Sequence, residues 1–192
     1  ALGIEAARVT LRPAPTVDWA SVPPPPGPRA AWFGELRLEL LPSEAAASDA
    51  SPQPRTLRLL TGSAFGTGLH PSTALLLEVI ARRRPRHILD VGTGSGVLAL
   101  AALALGAERA PGTDVDREIL DVATKNATLN GRSGQLRLTT ARPGALGETF
   151  PLVVANILPA ELEALAPELA CALAPGGVLW LSGLRETHVA EL

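Results

Sequence analysis

The chain has 192 residues, a formal net charge of −2 and one cysteine, and 46% of its residues are hydrophobic. This length can bury the core of one domain with appendages, and the near-neutral charge argues against a general polyanion binder. A lone cysteine cannot form an internal disulfide, and the apolar runs are too short to span a bilayer. We therefore expect a cytoplasmic protein that is not inserted in a membrane.

Residues 1 to 60 predict a small, proline-rich N-terminal appendage. Ile4 to Arg12 can form a strand, and Gly34 to Leu41 alternates polar and apolar residues as a half-buried strand does. The proline run Val22 to Pro28 and the low-complexity stretch Ser43 to Pro54 predict extended, irregular connections. We expect the domain boundary near residue 60, with a second region from 61 to 192.

A predicted helix from Pro71 to Arg84 follows the glycine-containing loop Phe65-Gly-Thr-Gly68. Proline suits the first helical position, and His70 before it is a candidate N-cap or substrate-facing imidazole. Arginines at the helix end complement the helix dipole, and no aromatic residues interleave with them. We therefore expect no direct nucleic-acid binding from this cluster.

The stretch Ile88 to Leu105 predicts a buried strand, a tight turn and a buried helix. The glycines of its turn, Gly92, Gly94 and Gly96, let a ligand lie against the backbone at the helix N-terminus. The same residues also satisfy the end of the dinucleotide pattern G-x-G-x-x-A, so an NAD oxidoreductase is an alternative. Asp90 favours a different ligand, because its carboxylate repels a pyrophosphate but suits a cofactor with an amine and a sulfonium. S-adenosylmethionine has both.

Three further strands are predicted to end at the same edge of the sheet. Arg109 to Asp114 ends in a carboxylate that can accept both hydroxyls of a ribose, or that can cap a turn. Asp116 is the better cap for the next predicted helix, which runs from Arg117 to Asn130. A third strand is predicted from Gln135 to Thr140, and Phe150 to Asn156 predicts a fourth, buried strand that ends in an amide.

The last part of the chain predicts a helix pair and a fifth strand. Leucines at helical spacing predict the helices, the second of which begins at Pro167. The turn Ala174 to Gly177 then leads into a strand from Val178 to Ser182. Strands that alternate with helices predict a doubly wound, Rossmann-like α/β fold with a mainly parallel sheet and a ligand at its switch point.

Four stretches of the sequence resemble the class I S-adenosylmethionine-dependent methyltransferases of the PrmA type, which methylate ribosomal protein L11. The stretches are 64–73 (AFGTGLHPST), 90–96 (DVGTGSG), 112–116 (GTDVD) and 154–158 (VANIL). The resemblance implies the strand order 3-2-1-4-5. Because this class usually ends in a helix and an antiparallel hairpin, the resemblance also predicts that the C-terminal hairpin is missing from this chain.

The resemblance implies a role for each candidate site residue, with S-adenosylmethionine as the cofactor. Transfer of its methyl group to a protein amine, a lysine or N-terminal amine of a ribosomal protein, is the implied reaction. The implied cofactor-binding residues are Phe65 and Thr67 in the covering loop, Thr73, Asp90 at the cofactor amine, Gly92, Gly94 and Gly96 at the methionine end, Asp114 at the ribose, and Asn156. For Asn156 the resemblance implies one of two roles. It holds the methionine moiety of the cofactor or, as the catalytic residue, it holds the target amine.

Other functions would retain the same residues. A methyltransferase for another protein or for a small molecule differs only in how it recognises its acceptor, and a non-catalytic module would bind the cofactor without turnover. His70, His87 and His188 are scattered along the chain, so the sequence predicts no metal site.

Overall fold

The computed structural model describes residues 29–43, 53–60 and 70–184. The predicted strand Ile4 to Arg12, the proline run Val22 to Pro28 and most of Ser43 to Pro54 lie outside the described residues. None of the helices in the described ranges is long and apolar enough to cross a membrane.

The described residues form eight strands and four α-helices, besides a 3-10 helix at Pro143–Ala145. In chain order they are β1 Arg29–Phe33, β2 Leu36–Leu41, β3 Thr56–Leu60, α1 Pro71–Arg83, β4 Leu89–Val91, α2 Val97–Ala104, β5 Gly112–Thr113, α3 Arg117–Leu129, β6 Leu138–Thr139, β7 Phe150–Asn156, α4 Pro159–Ala172 and β8 Leu173–Ser182.

Five of these strands form a parallel sheet in the order β6-β5-β4-β7-β8. When the strands of this sheet are numbered 1 to 5 in chain order, starting with β4, their spatial order is the predicted 3-2-1-4-5. The doubly wound α/β fold is therefore confirmed. The strands alternate between two cores: Val154 packs on the side of α1 and α2, whereas Val153 and Ala155 pack on the side of α4. Burial on both faces explains why β7 has an almost continuous apolar sequence.

A second, three-stranded sheet has the order β1-β2-β3, with β1 antiparallel and β3 parallel to β2. β2 alternates buried and half-buried residues, as predicted for Gly34 to Leu41. The buried leucines of this sheet, such as Leu38 and Leu59, lie in the same hydrophobic core as Leu77 and Ile80 of α1. The small sheet is therefore packed on the helices that cover the larger one. The predicted domain boundary near residue 60 stays a prediction.

Predicted helix caps are present at two helices. His70 caps α1, because its ring accepts a hydrogen bond from the Ser72 N–H at 3.3 Å, and Pro71 is the first helical residue. Asp116 caps α3 by accepting from the Glu118 N–H at 2.8 Å. These side chains determine where the chain enters each helix after the carboxyl edge of the sheet.

The arginines at the end of α1 are largely paired. Arg82 contacts Glu78, Arg84 contacts Glu35 and Arg86 contacts Glu108, and the Arg83 guanidinium lies 5.8 Å from the centre of the Trp180 ring. This pairing reduces the positive potential that a polyanion would meet.

The helix pair predicted around Pro167 is wrong, because α4 is one continuous helix with Pro167 inside it. Proline removes the N–H that would bond to the Glu163 carbonyl. Pro167 and Glu163 both lie on the exposed face, where water can satisfy that carbonyl, while Leu162, Ala166 and Leu169 remain buried. The helix therefore loses one hydrogen bond without losing its packing.

Three strands of the parallel sheet differ clearly from their predicted bounds, and one of them is β5, which covers only Gly112–Thr113 of the predicted Arg109 to Asp114. β6 covers only Leu138–Thr139 of the predicted Gln135 to Thr140, because the N–H groups of Gln135 and Leu136 bond to the Arg132 carbonyl in a turn. β8 begins at Leu173 and includes the predicted turn 174–177. In the β7–β8 ladder Phe150 pairs with Leu173 and Leu152 with Val178, so the four residues form a bulge instead of a separate turn.

Candidate functional site

The glycine loop between β4 and α2 has the backbone that its sequence predicts. Gly92, Gly94 and Gly96 have φ angles of +68°, +55° and +80°, which favour glycine. A Cβ atom at Gly92 would lie 2.1 Å from Cγ2 of Ile157, so Gly92 is also required by the side chain that packs over it. The loop brings the first turn of α2 to the carboxyl end of β4, as a cofactor cradle requires.

Asp90 is fully buried at the end of β4. Its Oδ2 accepts hydrogen bonds from the Thr93 hydroxyl at 2.7 Å and from the Ala99 N–H at 3.2 Å, which ties the carboxyl group to the loop and to the first turn of α2. Within the described ranges, no donor lies within hydrogen-bond distance of its buried Oδ1. Burial raises the pKa of Asp90 to about 6, although the two hydrogen bonds act in the opposite direction.

Asp114 follows β5 and faces the glycine loop. Its Oδ2 accepts a hydrogen bond from the Gly94 N–H at 3.1 Å, and its Oδ1 accepts from the Asp116 N–H at 3.1 Å. The second bond is a local turn of the kind that aspartate often makes. The first is not local, and it places Asp114 beside the loop. Each carboxylate oxygen can accept more than one hydrogen bond, so both remain able to accept from a ligand.

Asn156 ends β7 and contacts Thr73 of α1. The Asn156 Nδ2 donates to the Thr73 hydroxyl at 3.0 Å, and Thr73 is only 1% exposed. Next to this pair, the Ser182 hydroxyl donates to the Ser72 carbonyl at 2.8 Å and holds β8 against the start of α1. The Thr73 contact fixes the orientation of the amide, so its Oδ1 faces away from Thr73.

The structure therefore brings most of the predicted site residues to one edge of the parallel sheet. Thr73, Asp90, Asp114, Asn156 and the glycines of the loop meet at the carboxyl ends of β5, β4 and β7. Phe65 and Thr67 lie outside the described residues. The described part of the chain contains no group of three or more histidine, cysteine, aspartate or glutamate side chains that could hold a metal ion.

Three residues of this edge were missed by the sequence analysis. Thr93 holds Asp90, Ile157 packs over Gly92, and the side chain of Asn126 donates to the Ser95 carbonyl of the loop at 2.9 Å. Only Asn126 had a detectable signal, because it lies between the apolar positions Ala123 and Ala127 of the predicted helix. A polar residue on the buried face of a helix needs a partner.

The family model for ribosomal protein L11 methyltransferase (PrmA) matches residues 36–192, which include the parallel sheet, strands β2 and β3 of the small sheet and the whole of this edge. The chain belongs to the PrmA family.

Relatives within the PrmA family have high sequence identity to this chain. A ribosomal protein L11 methyltransferase of Sorangium cellulosum is 50% identical over 142 residues, which are 72% of this chain and 45% of that protein. One from Syntrophotalea carbinolica is 47% identical over 153 residues, 77% of this chain and 50% of that protein. The chain thus spans about half the length of these relatives.

A solved structure has the same fold. The crystal structure of the ribosomal protein L11 methylase from Lactobacillus delbrueckii subsp. bulgaricus matches with a TM-score of 0.67 and 32% identity, over 82% of this chain and 80% of that one. The sequence comparisons and the structural comparison thus agree on the PrmA family.

Proposed function

We propose that this chain binds S-adenosylmethionine at the carboxyl edge of its parallel sheet and transfers the methyl group to an amine of ribosomal protein L11, in the cytoplasm. The observation that carries the proposal is the meeting of the glycine loop, the two carboxylates and the Asn156–Thr73 pair at this edge. Membership of the PrmA family supports the acceptor, since the named relatives are L11 methyltransferases.

The residues present fit this cofactor. The unpartnered, buried Oδ1 of Asp90 suits the amino group of the methionine moiety, and Asp114 suits the ribose hydroxyls. The glycine loop leaves its backbone close to the methionine end. When bound, S-adenosylmethionine supplies a methyl group made electrophilic by the sulfonium.

Asn156 is the residue that we assign to the methyl acceptor. Because Thr73 occupies its Nδ2, its Oδ1 can accept a hydrogen bond from an N–H of the target amine and so orient the nitrogen lone pair. An amine that arrives uncharged can attack the methyl carbon without the help of a base. It has to be aligned at about 3 to 3.5 Å from that carbon, and water has to be excluded. Thr73 is thus a positioning residue for Asn156.

Calorimetric titration of the chain with S-adenosylhomocysteine, beside NADH, tests the cofactor. We expect micromolar binding of the first and none of the second. Asp114→Ala should weaken that binding by about 1.5 to 3 kcal/mol through lost charge-assisted hydrogen bonds. Asp116→Ala is the matched control, because it removes the α3 cap two residues away and should leave the affinity unchanged. Binding of NADH in preference would contradict the proposal.

Transfer of labelled methyl groups to purified ribosomal protein L11 tests the acceptor. L11 whose amines have been chemically blocked is the control, and it should take up no label. Cofactor binding without transfer to L11 would favour another acceptor or a non-catalytic module.

A further inference from the structure

Helix α3 and the C-cap residue that follows it present two asparagines, Asn126 and Asn130, to the outer edge of β3. The Asn130 side chain accepts from the Arg58 N–H at 2.8 Å and donates to the Arg58 carbonyl at 2.6 Å. The Asn126 Oδ1 accepts from the Leu60 N–H at 2.9 Å. On its other side β3 pairs with β2. The two amides therefore satisfy backbone groups of β3 that no strand in the described ranges reaches.

Asn126 also reaches the glycine loop, which Asn130 does not. Its Nδ2 donates to the Ser95 carbonyl at 2.9 Å, while its Oδ1 holds Leu60. The two partners define the orientation of the amide, since one is a backbone donor and the other a backbone acceptor. One side chain therefore connects α3, β3 and the loop.

The burial of Asn126 is complete, at 0% exposure, and its helical neighbours Ala123 and Ala127 are buried too. Placing a side-chain amide in such a position is unfavourable unless its donor and acceptor are both paired. An apolar residue would fill the same space but would leave the Leu60 N–H and the Ser95 carbonyl unpaired. The asparagine at this position is thus explained by its two backbone contacts.

The Ser95 carbonyl belongs to the peptide that joins Ser95 to Gly96, in the middle of the loop. The Gly96 N–H of the same peptide donates to the Thr93 carbonyl at 2.9 Å. A peptide plane that is held at both its carbonyl and its N–H cannot rotate freely. Asn126 therefore fixes the loop from outside, whereas Thr93 fixes it from within.

We propose that Asn126 is a positioning residue for cofactor binding, which holds the glycine loop in its binding conformation and links it to the three-stranded sheet. This inference rests on the proposed function, in which the loop holds S-adenosylmethionine. Asn126 acts through the loop backbone and contacts no reacting atom. Affinity for the cofactor should therefore depend on a buried amide in α3.

The test compares Asn126→Ala with Asn130→Ala, which removes contacts to the same strand but none to the loop. Both variants should unfold at a lower urea concentration than the wild type. We expect the dissociation constant of S-adenosylhomocysteine to rise at least about tenfold for Asn126→Ala and less than about twofold for Asn130→Ala. Equal changes in affinity, or none for Asn126→Ala, would overturn the proposal, because a purely structural role would affect stability alone.

A second variant and a second measurement keep the two proposals separable. In Asn126→Ser the serine side chain is shorter than that of asparagine and leaves room for water. The fold should therefore persist, while the glycine loop still loses its direct contact with residue 126. Hydrogen exchange of the Gly94 and Gly96 amides, without ligand, should be at least about tenfold faster in the Asn126 variants than in Asn130→Ala. If the wild type fails to bind S-adenosylhomocysteine, the proposed function is wrong, and unchanged exchange would separately overturn the role of Asn126.

Discussion

Asp90 combines a buried carboxyl group with only one well-paired oxygen, and this has a consequence for stability. Burial raises its pKa from 3.8 to about 6, so between these values the folded chain binds a proton that the unfolded chain has released. The contribution of Asp90 to stability is therefore greatest below pH 4 and is lost as the pH rises through 6. One pKa unit corresponds to about 1.4 kcal/mol, so the full change is about 3 kcal/mol.

Asp90→Asn should remove this pH dependence, because an amide does not titrate in this range. Between pH 4 and pH 7 we expect the wild type to lose about 2 kcal/mol more of its unfolding free energy than the variant does, since part of the full change already occurs below pH 4. Urea unfolding of both proteins at several pH values measures the difference between their unfolding free energies. The contributions of the other titrating groups are the same in both proteins and cancel in this difference. The variant should also bind S-adenosylhomocysteine more weakly. Parallel pH profiles of the two proteins would show that Asp90 ionises normally.

Among the elements, the glycine loop depends on both its backbone conformation and its packing. Gly92→Ala combines a φ of +68° with a Cβ 2.1 Å from the Ile157 side chain, whereas Gly131→Ala has a similar φ of +65° and no atom within 4 Å. Backbone strain alone costs about 1 to 2 kcal/mol. We expect Gly131→Ala to lose about that much unfolding free energy in denaturant titrations, and Gly92→Ala to lose at least about 1 kcal/mol more from overpacking.

A double variant separates the two effects. In an Ile157→Ala background the added Cβ has room, so Gly92→Ala should then cost no more than Gly131→Ala does. If the cost stays as high as in the wild-type background, the clash with Ile157 is not its source.

How well each element could be predicted depended on whether its sequence signal was local. β7 has its predicted bounds because an apolar run from Phe150 ends at the polar Asn156, and α1 begins where Pro71 allows. A helix break was predicted at Pro167 because proline inside a helix removes a backbone hydrogen bond. This rule does not consider whether the carbonyl that loses its partner, that of Glu163, lies on the exposed face of the helix. The bulge in β8 depends on its register with Phe150, which is a long-range property.

At the scale of the whole molecule, the shared core predicts a single unfolding transition. Leu59 of β3 is fully buried against the core that also contains α1 and α2. Leu59→Ala should therefore lower the unfolding free energy of the entire chain by about 2 to 5 kcal/mol. The measurement is an unfolding titration in denaturant, monitored by tryptophan fluorescence. When Trp19 and Trp32 are replaced by phenylalanine, Trp180 in β8 is the only tryptophan, so the fluorescence reports the unfolding of the larger sheet.

Leu158→Ala is the matched control, because it removes the same atoms from a side chain that is 68% exposed. It should change the unfolding free energy by less than about 0.5 kcal/mol. A Trp180 transition that Leu59→Ala leaves in place would show that the small sheet unfolds on its own, as a separate domain would.

The site as a whole was predictable where one stretch of sequence contains its residues. Asp90 and the loop glycines are adjacent in the chain, Asp114 directly follows the short strand β5 and Asn156 ends the apolar strand β7, so the carboxyl edge of a parallel sheet had to bring them together. The contacts of Thr73 with Asn156 and of Asn126 with Ser95 join residues far apart in sequence. Side-chain amides in such contacts have no periodic pattern from which a sequence could predict their partners.

The pairing of α3 with β3 also affects how the protein meets other copies of itself. An open strand edge exposes backbone donors and acceptors that can pair with a strand of another molecule and so begin aggregation. Along β3, Asn126 and Asn130 already occupy those groups. The side chains of Asn126 and Asn130 thus leave fewer unoccupied backbone groups at the β3 edge of the small sheet for intermolecular β-pairing.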